Sequence, residues 1–432
     1  MPQFPRPLCL LFAALSCAVV VTAQSLEPVN RNLPDWIHLG GEYRVRYEGF
    51  DNRGYSDVDD DHYLLQRYRM DLRLRPAKHF QIVAQAQDSR VFFNTRISDA
   101  PPWRDTLDLR LAYAQVGDPE KGHFAVRVGR QEISIGEERL LGSANWGNTA
   151  RSFDAARVYW RPLAKARFDV FAASVVAQSD GAFDRHVDGD NLHGAIGQIN
   201  WHGAHFEPFG LWRVAPRGRS ESGRFGKVDT KTFGTRVTGK LNPRTDYVME
   251  LIGQNGKWGP DSLRAWAGHW RVVRTLAKDR RVPRLRIEYD YATGDSNPTD
   301  GRHETFELIY PTPHDKLGLA DQVGWKNVHH LSAVGEWLPS KLWTVQMKYH
   351  EWWLASATDG VYTAGGALIA RNSVGTAGRH IGHELDLQAL GSVGKQMKLG
   401  GGVGHIFPGE FLHRTTPSRD YTFPYVMMTW SF

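Results

Sequence analysis

The chain has 432 residues and a formal net charge of +6, and 41% of its residues are hydrophobic. Its mean hydropathy is negative, and no internal stretch approaches the about 20 apolar residues that a membrane helix needs. This composition excludes a bundle of membrane helices. It leaves a membrane β-barrel open, because each barrel strand needs only about 10 residues and half of them face the lumen.

The one continuous apolar run covers residues 8–21, after a basic residue and before a short segment of small residues. This pattern predicts a cleaved secretory signal peptide over 1–23, with 24–432 as the mature chain. Both cysteines, Cys9 and Cys17, lie inside the predicted peptide. The alternative, a lipoprotein attached through Cys17, is disfavoured by the residues before it. An exported mature chain would have no disulfide or thiol chemistry.

From about residue 36 onward, apolar and polar residues alternate in short bursts, and the polar member is often arginine. Successive side chains of a strand point to opposite faces. In 63–75, the residues Arg67, Arg69 and Asp71 therefore share one face, and Tyr68 lies on the other. Repeated along the whole chain, this pattern predicts a barrel with an apolar outer surface and a charged lumen.

The predicted fold is all-β: a single domain over 24–432 that forms a transmembrane antiparallel up-and-down β-barrel of about eighteen strands, with sixteen as the alternative. The predicted strands are 36–48, 63–75, 80–88, 106–117, 123–133, 153–161, 166–177, 192–201, 205–214, 229–240, 246–254, 262–273, 283–293, 326–338, 342–353, 380–390, 397–406 and 421–432. Short and long connections alternate, as periplasmic turns and extracellular loops do in such barrels. The long loops are predicted at 49–62, 89–105, 134–152, 178–191, 215–228, 294–325, 354–379 and 407–420. A terminal aromatic residue, Phe432, fits an outer-membrane protein of a Gram-negative cell.

Alternation also predicts which charged residues face the lumen. An arginine or lysine at the midplane of the lipid face costs roughly 2–4 kcal/mol, so the charged face of each strand must turn inward. The predicted lumen cations are Arg44, Arg46, Arg67, Arg69, Arg73, Arg110, Arg127, Arg157, Arg236, Arg271, Arg284, Arg286 and Lys348. The predicted lumen acids are Glu42, Asp71, Asp108, Glu288, Asp290, Glu384 and Asp386. Arg130 and His405 fall on the outward face, where we expect a bulge or a strand end, and Leu111 is predicted to point outward with Leu107 and Leu109.

Two interpretations of the charged face are open. In the first, cations and acids pair across neighbouring strands and stiffen the wall. In the second, the surplus of cations attracts an anionic solute, because a wet lumen with low-dielectric walls focuses the field and the guanidinium fork matches a carboxylate. Both can hold, and the surplus points to anions without naming one.

Catalysis and cofactors find little support in the sequence. The segment with His380, His383 and Glu384 lacks a zinc-binding spacing and is predicted to begin a strand. Glu384 and Asp386 could in principle serve as a glycosidase pair, but ion pairing in a wet lumen is the simpler prediction. We expect no enzyme activity, no cofactor and no metal site.

Many segments resemble the alginate export family of outer-membrane β-barrels. They are 128–136 (VGRQEISIG), 139–142 (RLLG), 145–154 (NWGNTARSFD), 294–298 (GDSNP), 300–306 (DGRHETF), 310–313 (YPTP), 323–327 (VGWKN), 353–356 (WLAS), 362–366 (YTAGG), 382–386 (GHELD) and 404–409 (GHIFPG). The resemblance implies a monomeric eighteen-stranded barrel that passes a polyuronate through an arginine-lined constriction. It also implies substrate contacts for Arg127, Arg130, Arg151 and Arg157. A periplasmic scaffold and a polymer-synthesis complex are the implied partners.

The predicted function is an outer-membrane channel through which an alginate-like anionic polysaccharide diffuses passively. The first alternative is an anion-selective porin that takes up small acidic solutes such as uronates, sugar acids or phosphate. A barrel enzyme acting on lipid or polysaccharide and a purely structural or adhesive barrel are the remaining alternatives. Outer-membrane lipid is an expected partner, and nucleic acid is not.

Overall fold

The computed structural model describes residues 26–276 and 283–432. The predicted signal peptide over 1–23 lies outside the described residues. The strands are β1 (Ile37–Phe50), β2 (Asp61–Ala77), β3 (Phe80–Phe92), β4 (Asp105–Val116), β5 (Phe124–Gln131), β6 (Phe153–Leu163), β7 (Ala166–Ala177), β8 (Arg185–Trp201), β9 (Ala204–Arg219), β10 (Phe225–Asn242), β11 (Thr245–Trp258), β12 (Asp261–Thr275), β13 (Arg284–Ala292), β14 (Arg302–His303), β15 (Val328–Trp337), β16 (Trp343–Leu354), β17 (Gly360–Tyr362), β18 (Leu368–Arg371), β19 (His380–Val393), β20 (Met397–Pro408) and β21 (Tyr421–Ser431).

Eighteen of these strands form one closed antiparallel barrel in chain order, and β14, β17 and β18 lie within long loops. The barrel closes where β1 pairs with both β2 and β21, so that Tyr43 lies opposite Tyr68 on one side and Trp430 on the other. Closure at this strand number confirms the prediction of eighteen strands over sixteen. Short helices flank the barrel: α1 (Glu27–Arg31), a 3₁₀ helix (Arg53–Tyr55) and α2 (Glu410–Thr415). Among the described residues, no helix has the length and apolarity needed to cross a membrane.

Side-chain burial follows the predicted alternation, as β13 shows. Leu285, Ile287 and Tyr289 are 39–43% exposed on the outer surface. Glu288 and Asp290, which alternate with them, are buried inside. Lipid on one side and partners on the other explain why the strand adopts this face, because a one-residue slip would turn every carboxylate toward hydrocarbon.

Three strands extend further than the sequence predicts. β8 begins at Arg185 instead of 192, β9 continues to Arg219 instead of 214, and β10 begins at Phe225 instead of 229. The extra residues are mostly polar and glycine-rich, so no apolar alternation marks them, yet strand pairing continues beyond the membrane. The predicted loops at 178–191 and 215–228 are therefore too long.

One predicted orientation on β4 is wrong. The register between β3 and β4 shifts so that Leu111 lies opposite Gln85 while Leu109 lies opposite Ala86. Arg110 is the extra residue, and it points inward, where its guanidinium hydrogen-bonds Gln85. Leu111 consequently falls on the lumen side of the strand, because a β-bulge reverses the alternation beyond it.

The assignment of faces predicts the response to a new charge. Leu387 is 55% exposed at the middle of β19, so Leu387→Arg should lower the free energy of unfolding by roughly 2–4 kcal/mol. Gln346→Arg is the matched control, because Gln346 donates to the lumen carboxylate Glu336 at 2.8 Å. Urea unfolding in lipid vesicles measures both, and equal destabilisation by the two changes would contradict the assigned faces.

Candidate functional site

The loop over residues 132–152 does not stay outside the barrel but enters the lumen. Its backbone carbonyls at 145–147 accept hydrogen bonds from three buried arginines of the β1–β2 wall. Arg44 donates to two of them at 2.9 Å, Arg67 donates to the same two at 3.0 and 3.1 Å, and Arg46 donates to the third at 2.6 Å. These guanidinium groups hold the loop and compensate the cost of burying its carbonyls.

The other end of the same loop is held by the opposite wall. Glu137 accepts from Arg236 of β10 at 3.1 Å and from Arg271 of β12 at 2.5 and 2.8 Å. Arg139 lies 3.3 Å from Asp290 of β13. Burial would raise the pKa of Glu137, but the surrounding guanidinium groups of Arg271, Arg139 and Arg236 lower it to about 2. The loop therefore crosses the lumen from β1–β2 to β10–β13.

A second inward loop, residues 293–327, docks on the β16–β19 wall. The backbone N–H of Ala320 donates to Glu384 at 2.8 Å, and that of Leu319 donates to Asp386 at 3.2 Å. Both carboxylates are fully buried. They are lumen acids, as predicted, but they hold a loop rather than face water.

The two loops are joined to each other. Leu140 and Gly142 exchange backbone hydrogen bonds with Tyr310 at 3.0 and 2.8 Å. Arg151 donates to the carbonyls of Gly142, Tyr310 and Pro311 at 3.0, 2.7 and 2.8 Å. Burial lowers the pKa of Arg151 to about 10. Arg151 therefore ties the loops together, and the substrate contact that the resemblance implied for it finds no counterpart in these contacts.

Apolar residues of both loops and of the wall form one core inside the barrel. The loop residues in this core are Ile133, Ile135, Leu140, Leu141, Phe306, Leu317, Leu319 and Trp325. Wall residues Leu65, Phe171, Leu192, Phe209, Ile252 and Leu263 pack against them. The half of the lumen on the side of the long loops is thus filled by protein. This corrects the expectation of a hydrated, arginine-lined tunnel along the whole barrel.

Several predicted pore-lining cations are buried in consequence. Arg44, Arg46, Arg67, Arg69, Arg110 and Lys348 are each at most 6% exposed. Arg69 contacts Gln87 at 2.7 Å, Arg110 pairs with Glu132, and Lys348 pairs with Asp315 of the second loop. Their prediction as cations that face inward is correct, but their prediction as water-exposed pore lining is wrong, because the sequence pattern does not reveal the inward loops.

Arg130 lies outside the lumen. It has the same parity on β5 as Val128, which is 54% exposed, and its guanidinium pairs with Asp154 at 2.9 Å and binds the carbonyl of Asp184 at 3.0 Å. The predicted strand end follows at once, since β5 ends at Gln131. The implied substrate contact of Arg130 is therefore wrong.

The remaining lumen acids have partners, as the structural interpretation predicts. Glu42 pairs with Arg67 at 2.5 Å, and Asp71 accepts from Gln85 at 2.6 Å. Glu288 lies 3.2 Å from Arg286, which is partly exposed. The rim cation Arg284 pairs with Glu336 at 3.2 Å, and Arg73 is exposed at the same end of the barrel. Asp290 accepts from His269 and His330, both at 2.7 Å, and Asp108 accepts from the backbone N–H of Asp184 at 2.6 Å.

The lumen stays open at the end of the short turns. A cavity of about 470 Å³ lies along the wall from β2 to β7. Within it, Arg157 and Arg167 share Asp169 at 2.7 and 3.1 Å. Arg127 is held by the neutral Gln115 at 2.6 and 2.8 Å, and no carboxylate of the described residues forms an ion pair with it. The lysine and arginine residues lining the cavity are Arg75, Lys78, Arg127, Arg157 and Arg167, and the carboxylates are Asp118 and Glu120.

A second cavity of about 640 Å³ opens at the same end, between β8 and β12. Its lining contains Lys165, Arg236, Lys240 and Arg271, with Asp246 as the carboxylate. A cavity of about 280 Å³ at the opposite end is balanced, with Arg46 and Arg53 against Glu48 and Asp321. We call the two cavities at the short-turn end the basic vestibule. Short turns are periplasmic in bacterial barrels, so the excess of cations lies at the periplasmic mouth.

Sequence reasoning missed three residues of this arrangement. Arg167 alternates with Phe168 and Val170 on β7, so the same parity rule could have assigned it to the lumen. Glu137 and Arg139 lie in a loop, where strand alternation carries no information.

Comparisons with known proteins agree with this architecture. The model of the family described as alginate export matches residues 35–425. Similar solved structures include three Pseudomonas aeruginosa proteins. OccK5 (OpdH) has a TM-score of 0.61 at 10% identity, covering 92% of this chain and 98% of that chain. OpdO has a TM-score of 0.59 at 11% identity, covering 93% and 99%, and OpdK with vanillate has a TM-score of 0.59 at 10% identity, covering 91% and 98%. No curated protein matches the chain by sequence.

The anchoring of the crossing loop makes a first prediction for the lumen. Arg139→Gln removes the cation between Glu288 and Asp290 and leaves buried charge uncompensated, at a cost of roughly 3–5 kcal/mol. The loop should detach, and single-channel recordings should show larger and noisier conductance. Arg284→Gln removes a half-exposed rim pair worth at most about 1 kcal/mol and should leave the conductance unchanged. A quiet, unaltered Arg139→Gln channel would contradict the crossing loop's role in narrowing the lumen.

A cluster of carboxylates at the long-loop end predicts a pH dependence. Asp184 lies with Asp105 and Asp108, one carboxylate oxygen from each within 4.8 Å of the others. Burial and the neighbouring Asp105 raise the pKa of Asp184 to about 7. An unfolded aspartate titrates near about 3.9, so this group costs stability as the pH rises from about 4 through 7.

Asp184→Asn should therefore unfold at a higher temperature than the wild type above about pH 7 and at a similar temperature near pH 4. Thermal unfolding across this pH range measures the effect. Asp188→Asn is the control, because its side chain is 99% exposed. An identical pH profile in the Asp184 variant and the wild type would show that Asp184 titrates normally.

Proposed function

The chain belongs to the alginate export family, and we propose that it passes anionic saccharides, above all an alginate-like polyuronate, passively across the outer membrane. The basic vestibule is the entry site in this proposal. A monomeric barrel would receive the polymer at its periplasmic mouth from a scaffold or synthesis complex.

The carrying observation is the uncompensated charge around Arg127. In the register of β5 and β6, Arg127 lies directly opposite Arg157. Like charges directly opposite each other destabilise a sheet, and Asp169 neutralises only the second of the two. A site that keeps such a pair at a wet mouth is suited to an incoming carboxylate, which would relieve the repulsion.

Local contacts support weak and reversible binding. The Arg127 guanidinium lies 4.5 Å from the ring centroid of Tyr113 and 5.6 Å from that of Tyr159, so its planar face is fixed by the rings. Its hydrogen-bond partner Gln115 is neutral, and a carboxylate can replace it without breaking an ion pair. Acids near the bases keep each stop short, because conduction requires release as well as capture. Glu137 between Arg236 and Arg271 supplies such an acid further inward.

Uptake of small acidic solutes is the second candidate, and the filled lumen favours it. The two inward loops leave cavities of about 470 and 640 Å³ at the mouth, a size suited to small ligands. The similar structure of OpdK was determined with vanillate, a small carboxylate. The arginines would act on either solute through the same carboxylate chemistry.

Charge reversal in the vestibule tests the proposal. Arg127→Glu should shift the reversal potential in a salt gradient toward cations, because it replaces the uncompensated cation by an anion in a focused field. Arg130→Gln is the matched control three residues along the same strand, since Arg130 lies outside the lumen, and it should leave the reversal potential unchanged. No shift in Arg127→Glu would remove the basic vestibule from the permeation path.

Block by saccharides separates the two candidates. Oligomers of mannuronate should interrupt the wild-type current at concentrations where the monomer does not, because several carboxylates bind neighbouring arginines at once. Interruption by monomer and oligomer alike at equal carboxylate concentration would favour the porin for small acids. Arg127→Glu should weaken the block in either case, and a block that this change leaves intact would contradict both.

A further inference from the structure

A cluster of metal-ligating side chains lies on the outer surface of the barrel, away from the lumen. Glu351 of β16 and His380 and His383 of β19 each offer one ligand atom, and these three atoms lie within 4.8 Å of one another. Glu351 and His383 are direct cross-strand partners. They share the outward parity of Tyr349 and Leu385, which are 40% and 39% exposed. The cluster therefore faces the surroundings of the barrel near its extracellular end.

A β-bulge brings the two histidines to the same face. Residues three apart on a regular strand point to opposite faces, so His380 and His383 would normally diverge. Here Trp352 lies opposite Gly382, but Trp353 lies opposite His380, and one residue between them is left unpaired. Gly382 has φ = +146°, a conformation that L side chains rarely adopt. Bulges of this kind re-aim side chains, often next to functional sites.

The neighbours of the cluster orient its ligands. His380 Nε2 lies 2.5 Å from one carboxylate oxygen of Glu351, and the Tyr349 hydroxyl donates to the other oxygen. The ring of His383 stacks on Phe407 with centroids 4.9 Å apart. Hydrogen bonds and ring packing around first ligands fix their orientation in metal sites.

The chemistry of the donors selects the kind of metal. Two imidazole nitrogens and one carboxylate oxygen are a three-ligand set typical of zinc sites that keep one position open. Calcium and magnesium prefer oxygen ligands alone. The sequence analysis expected no metal site and considered Glu384 beside the two histidines, but Glu384 is buried on the lumen side. Its place is taken by Glu351 from the neighbouring strand.

We propose that Glu351, His380 and His383 bind a zinc ion on the outer surface of the barrel. The bound ion joins β16 to β19 at the base of the loop over 355–379, which connects these two strands. It stabilises this corner of the barrel by binding the folded state alone. The site is separate from the permeation path and does not depend on the proposed transport.

Titration of the untagged mature chain with Zn²⁺ in detergent tests the site. Calorimetry should show binding to a single high-affinity site, and Zn²⁺ should raise the unfolding temperature. Glu351→Gln and His383→Ala should abolish both effects, and Tyr349→Phe should weaken binding by about tenfold through loss of the orienting hydroxyl. His193→Ala is the control, because His193 lies beside Trp212 on β8, with ring centroids 5.2 Å apart, and it should bind as the wild type does.

Co²⁺ provides a second readout that does not depend on stability. Coordination by two imidazoles and a carboxylate gives visible absorption bands characteristic of the ligand geometry, and these should appear in the wild type and vanish in Glu351→Gln. Absence of Zn²⁺ binding in the wild type would overturn the proposal, as would Zn²⁺ binding that Glu351→Gln leaves unchanged. Equal affinity for Ca²⁺ and Zn²⁺ would also overturn it, since the nitrogen donors would then play no part.

Discussion

Charge cannot face lipid cheaply, and this constraint shapes the whole molecule. An exposed arginine at the midplane costs roughly 2–4 kcal/mol, so the strands turn their ionisable side chains into the lumen. The lumen then holds arginines directly opposite one another, such as Arg44 opposite Arg67 and Arg127 opposite Arg157. Such a wall is stable only if each guanidinium finds an acceptor.

The inward loops provide most of these acceptors. Carbonyls of the 132–152 loop bind the arginines of β1 and β2, and Glu137 of the same loop binds those of β10 and β12. Most lumen arginines are therefore structural, and they fix a plug that narrows the barrel. Cations without such partners remain at the short-turn end. The structural and the functional interpretations of the arginines thus apply to different halves of the same lumen.

Sequence alone predicts the barrel because two independent constraints agree along it. Alternation has a fixed period of two, and lipid tells which face is which, so strand number and the inward face of residues such as Glu288 followed directly. Where the backbone leaves this period, prediction failed. The bulge at Arg110 displaced Leu111, the bulge at Gly382 united His380 and His383, and loop contacts gave Arg151 a role that no spacing in the sequence encodes.

The account's central claim is that the periplasmic mouth selects anions by cations that the plug leaves uncompensated. The most direct measurement is the reversal potential of the wild-type channel in a planar bilayer under a potassium chloride gradient. A potential on the chloride side of zero, growing as the salt concentration falls and screening weakens, is the predicted result. A potential on the potassium side would contradict the claim.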